Sequence, residues 1–174
     1  FSGGVGYANL AAGEQGRLVI GVVKAPDFPE TGRDFLYVMH SADGGSTWSS
    51  LRRLSRPTEE PAIEPHVFWR DAMLSVIWTS QPVGHFTDGV VWTATVNPDG
   101  EDVKPRTALR LSGPTNGSSV AVDVCGTVHF VVRAARPTGN TIAYARYDRN
   151  GWSPIEYPFD IHVSQPSIAA IGDT

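Results

Sequence analysis

The chain has 174 residues, 41% hydrophobic and 18% charged, with a formal net charge of −4. That is enough apolar material for one domain with a core, and it excludes a disordered chain. With only two lysines, Lys24 and Lys104, and no Lys/Arg block, the chain lacks the basic face that nucleic-acid binding needs, and no apolar run approaches the roughly 20 residues of a membrane helix.

The 18 glycines and 13 prolines suit a turn-rich all-β protein. A first unit spans about 7–54. A turn at Gly16 leads into an apolar strand over 17–23, a third strand follows over 35–40, and a fourth over 48–54. Between the last two lies Ser41-Ala42-Asp43-Gly44-Gly45-Ser46-Thr47-Trp48. Asp43 can accept hydrogen bonds from backbone N–H groups ahead of it, and Gly44 and Gly45 allow backbone angles that other residues resist. The hydroxyls of Ser41 and Thr47 can bond locally. Trp48 can tuck under a neighbouring strand while its N–H finds a partner.

The pattern returns twice. A second unit spans about 64–112, with strands over 73–78, 90–96 and 107–111. A third spans about 118–159, with strands over 127–132, 142–148 and 152–158. Tyr37, Trp92 and Tyr144 fall at matching places, as expected of residues packing between repeats. A fourth, incomplete copy is expected over 165–174, beginning at Ser167. Repeats of about 50–55 residues with four antiparallel strands each are the blades of a β-propeller. Cys125 lies in an apolar, strand-like stretch and reads as a buried, inert thiol. The stretch 113–118 reads as a turn between blades, although Asn116-Gly117-Ser118 is formally a glycosylation sequon.

The octapeptide at Ser41 resembles the Asp-box, or BNR repeat, of the sialidase-type β-propellers, and Ser41, Asp43, Gly45, Thr47 and Trp48 match all its defined positions. The resemblance implies an all-β, sialidase-like fold and a glycan-acting protein of the exo-α-sialidase type. A non-catalytic BNR propeller, acting as a scaffold or as a glycan- or protein-binding module, is the alternative. In that family the box is a structural fastener on the rim, away from the substrate. Propellers close with about 4–8 blades, so three blades and part of a fourth imply a piece of a longer propeller, or closure with a partner protomer. Relatives of this type are often secreted or periplasmic.

The resemblance places any ligand on the opposite face, built here by loops over 24–34, 55–66, 79–89, 112–118, 134–140 and 159–166. Loops on a rigid scaffold are where function concentrates. Those over 55–66 and 79–89 are chemically mixed, the first holding Arg56, Glu59, Glu60, Glu64 and His66 and the second His85, Phe86 and Asp88. The ligand-face candidates are Arg56, Glu59, Glu60, His66, His85, Asp88 and Arg136. Sialidases clamp the sialic carboxylate with three arginines and use a Tyr–Glu pair and an Asp. None of these can be placed here, and the family's Arg-Ile-Pro motif is missing. The five histidines show no metal spacing, and no metal or other cofactor is implied. A glycan is the expected ligand.

Overall fold

A computed structural model of the chain describes residues 5–24, 35–54, 62–70, 73–80, 88–96, 105–113, 115–136, 139–159 and 165–170. These form three antiparallel sheets, each a simple meander. The first runs β1 (Val5–Ala12), β2 (Leu18–Lys24), β3 (Phe35–Ser41) and β4 (Arg52–Arg53). The second runs β5 (Ala62–Arg70), β6 (Met73–Ser80), β7 (Asp88–Val96) and β8 (Arg106–Ser112). The third runs β9 (Thr115–Val122), β10 (Val128–Arg136), β11 (Gly139–Asp148) and a broken outer strand. That outer strand has two pieces on β11, β12 (Gly151–Trp152) and β13 (Glu156–Phe159). The only helical element among the described residues is one 3-10 turn, Glu14–Gly16, and no helix there is long and apolar enough to cross a membrane.

The sheets stack in series, with β1 against β5 and β5 against β9. The middle sheet is therefore covered on both faces, and its sequence shows why. In β6 every residue after Met73 is buried. Leu74, Val76 and Trp78 point into a cluster shared with Val19, Val23, Leu36 and Val38 of the first sheet. Ile77, one step out of phase, joins Phe68, Val91 and Leu111 against Val128, Phe130 and Val132 of the third. Successive side chains on a strand alternate between faces, so a strand buried along its length serves two cores at once. Each fully buried side chain of this size stabilises by about 1.5–3 kcal/mol. Trp92 stacks on Trp78 at 6.3 Å between ring centroids, and its Nε1 donates to Ser80 Oγ at 2.8 Å.

The outer strands of the first and third sheets are shorter than the sequence suggests, and both are fastened in the same way. Ser49 donates its N–H to His40 O at 2.8 Å, and its Oγ accepts from His40 N at 3.0 Å. Ser153 repeats this on Arg146, donating its N–H to the carbonyl at 2.8 Å while its Oγ accepts from the N–H at 3.1 Å. Both serines follow a tryptophan, Trp48 or Trp152.

Three expectations change. Residues 115–118 are not a turn but the start of β9, and the turn before them narrows to the stretch around Gly113, whose φ of +90° suits glycine. Cys125 is not buried. It sits exposed in the β9–β10 turn, where Asp123 Oδ1 accepts from the N–H groups of Cys125 and Thr127 at 2.9 and 2.8 Å. An Asp-fastened turn must face solvent at its tip, which is where the thiol lies. Residues 165–170 form no strand; Ile168 N approaches Ser119 Oγ at 3.4 Å.

Candidate functional site

The first strands of the three sheets line one cleft, and each carries an irregularity at the same level. On β1 the register slips between Val5 and Tyr7, on β5 between Ile63 and His66, and on β9 opposite Val132 and Arg133, at Gly117. Such bulges insert an unpaired residue and re-aim side chains. Sequence explains the second and third. Pro65 has no N–H for the ladder, and Glu64 before it adopts φ +50°, a left-handed conformation unusual for any residue but glycine. Gly117, at φ +63°, does the same without a Cβ to obstruct it.

The two bulges meet. Glu64 Oε1 accepts from Gly117 N at 2.7 Å, and Oε2 accepts from Ser118 Oγ at 3.0 Å. His66 Nε2 lies 2.8 Å from the same hydroxyl. On the other side Asn9 Oδ1 accepts from Val67 N at 3.1 Å, tying β1 to β5. These groups surround a cleft of about 300 Å³, with Tyr7, Gln165 and Pro166 also in its wall, at the lower end of the range for small-ligand sites. Burial lowers the pKa of His66 from 6.5, partly opposed by the charge of Glu64. Among the described wall residues Glu64 carries the only formal charge, and no arginine or lysine is present.

The residues singled out in the sequence divide between two ends of the sheets. Ser41 Oγ accepts from the N–H groups of Asp43 and Gly45 at 3.3 and 2.9 Å and donates to Asp43 Oδ1 at 2.7 Å. Thr47 donates its N–H to Asp43 Oδ1 at 2.9 Å and its hydroxyl to Oδ2 at 2.6 Å. Trp48 Nε1 donates to Gly45 O at 3.1 Å. The Thr47 hydroxyl, then its N–H, then Ser41 hold the Asp43 carboxyl down to a pKa of about 2. Gly44 N donates to Gly16 O at 3.0 Å, so this turn packs beside the β1–β2 turn, at the end of the sheet away from the cleft.

Of the ligand-face candidates, His66 is in the cleft wall, and it lies within strand β5 rather than in a loop. Arg136 is at the far end of β10, exposed, with its guanidinium 4.4 Å from the Tyr157 ring centroid; it is not part of the cleft. Asp88 begins β7, and its side chain lies outside the described residues, as do Arg56, Glu59, Glu60 and His85 altogether. Sequence reasoning missed Ser118, Asn9 and the role of Glu64. The readable signal was Glu64-Pro65, a proline inside an apolar run, which marks a bulge. Among the described residues no group of three or more His, Cys, Asp or Glu could hold a metal.

No protein-family profile matches the chain, and no curated protein matches it. Among solved structures, the alpha-L-arabinofuranosidase from Lactobacillus brevis superposes with a TM-score of 0.53 at 14% identity, over 88% of this chain and 53% of that one. The alpha-L-arabinofuranosidase PaAbf62A from Podospora anserina, in complex with cellotriose, superposes at 0.33 with 10% identity, over 86% of this chain and 66% of that one, too loosely to bear on the fold. The chain thus spans about half the length of the Lactobacillus brevis enzyme. At this identity the likeness is one of fold, and together with the stacked meanders it identifies the three sheets as consecutive blades of a partial β-propeller.

Proposed function

We propose that the chain is part of a glycan-acting β-propeller of the glycoside hydrolase type, with the cleft between β1, β5 and β9 as its sugar site. The observation that carries this reading is the Glu64 carboxylate, turned into the cleft by a strained bulge and held by Gly117 and Ser118. Strain kept at one residue by surrounding contacts is characteristic of functional sites. The arabinofuranosidase activity named for the Lactobacillus brevis protein supports the same class. Sialidase specificity has no such support, since the carboxylate clamp would need arginines and the described wall has none.

A second reading, a sugar-binding module without turnover, is favoured by one observation. Glycoside hydrolysis ordinarily uses two carboxyl groups about 5–10 Å apart; the described wall supplies one, and both its oxygens already accept hydrogen bonds from the protein. A panel of chromogenic glycosides, arabinofuranoside and sialoside included, run beside a glycan-binding array, separates the two. Turnover that Glu64→Gln abolishes while binding survives supports the hydrolase. Binding without turnover supports the module, and neither binding nor turnover removes the sugar-site reading.

A further inference from the structure

The hydrogen-bond directions in the cleft specify what kind of sugar fits; this step rests on the reading of the cleft as a sugar site. Ser118 has one hydroxyl proton and two neighbours that could take it. Glu64, as a carboxylate, only accepts, so the proton points at Oε2, 3.0 Å away. The 2.8 Å contact between Ser118 Oγ and His66 Nε2 must then be a bond donated by Nε2–H, because two lone pairs would otherwise face each other. His66 is thereby fixed as the Nε2–H tautomer. Burial keeps its ring neutral at pH 7, so Nδ1 carries a lone pair. Among the described residues Nδ1 has no hydrogen-bond partner, and His66 lines the cleft. Across the cleft Asn9 has engaged its Oδ1 with Val67 N, which leaves the amide N–H₂ as a donor.

We propose that this cleft selects an uncharged, hydroxyl-rich sugar over a carboxylate-bearing one, with His66 Nδ1 accepting a ligand hydroxyl and Ser118 acting as the positioning residue that sets the tautomer. A sugar hydroxyl both donates and accepts, and so matches an open imidazole nitrogen on one wall and an amide N–H₂ on the other. A sialoside or uronate carboxylate would instead meet the Glu64 charge and the His66 lone pair, with no cation among the described wall residues to offset them. Like charges juxtaposed in a partly desolvated site are strongly unfavourable.

The test has two independent readouts on the whole protein at pH 7.5. Titration calorimetry compares neutral methyl glycosides with methyl glucuronide and a methyl sialoside; neutral ligands are expected to bind at least about tenfold more tightly, the worth of one hydrogen bond or more. Long-range ¹H–¹⁵N correlation spectra report the tautomer of His66, expected as Nε2–H. In Ser118→Ala the tautomer bias is lost and neutral-sugar affinity falls about tenfold, while Ser118→Thr, which keeps the hydroxyl, restores both. An Nδ1–H tautomer in the unmodified protein overturns the proposal without touching the sugar-site reading, as does equal or tighter binding of the acidic sugars. Failure of every sugar to bind, with the Nε2–H tautomer present, removes the sugar-site reading and the selectivity with it.

Discussion

Glu64 and Gly117 are 53 positions apart in the chain, yet a 2.7 Å hydrogen bond joins them, and each has a left-handed backbone, φ +50° and +63°. The bond therefore links two bulges on neighbouring blades. Removing the Glu64 side chain leaves the Gly117 N–H without this acceptor, a loss of about 1–3 kcal/mol for a half-buried group bonded to a charge. Replacement by alanine keeps the strain, and replacement by glycine relieves it by about 1 kcal/mol. Urea unfolding is expected to rank native above Glu64→Gly above Glu64→Ala. An alanine variant as stable as the glycine one would show that the backbone there is not strained.

The first two blades are held close by a residue that is small for a reason. A Cβ added to Gly21 would come within 2.7 Å of Val67 Cγ1, nearer than such atoms approach. Gly21→Ala is therefore expected to cost about 1–3 kcal/mol, as overpacking does. In a Val67→Ala background the obstruction is gone, and the same substitution should cost close to nothing. A double-mutant cycle in urea measures the difference; a cost that persists in both backgrounds would assign the effect to the strand backbone instead.

Repeat, strand and turn were largely legible along the chain because each rests on local chemistry. Glycine and Asp/Asn punctuate the turns, and the largely apolar stretch over 73–78 reads as a strand, as β6 is. The Ser41 turn closes on itself within eight residues, so its donors and acceptors could be matched from sequence. The cleft was not legible in the same way. Its contacts span more than fifty positions, and they depend on a register slip in each inner strand. The sequence pattern assigns Glu64 and His66 to the connection over 55–66, whereas β5 begins at Ala62 and runs through Pro65 as a bulge. Cys125 misled for the opposite reason. Its neighbours are apolar, yet the Asp123 turn carries it outward.

That exposure has a direct chemical consequence. The single cysteine is accessible in the folded state, so the native protein is expected to react with an aromatic disulfide reagent to one equivalent, without a lag and without denaturant. Cys125→Ser keeps the backbone N–H that Asp123 accepts and should leave stability within about 0.5 kcal/mol, as for a surface substitution. A thiol that reacts only after unfolding would return the residue to the core.

The Ser41 turn adds an acid-sensitive contribution to stability. The Asp43 carboxyl titrates near 3.8 when unfolded and at about 2 when folded, chiefly because the Thr47 hydroxyl and N–H and the Ser41 hydroxyl donate to it. A depressed folded pKa means that the unfolded chain binds more protons between the two values, so stability rises with pH across that window. The contribution of Asp43 is therefore complete above about pH 4 and is lost as the pH falls toward 2. Asp43→Asn keeps the shape but removes the charge, and its stability should vary less than the native protein's between pH 4 and 2. Carbonyl-detected NMR titration of the Asp43 side chain checks the first step, and urea melts at pH 5 and pH 2.5 check the second. An Asp43 carboxyl that titrates near 3.8 in the folded protein would mean that Ser41 and Thr47 do not hold it in solution.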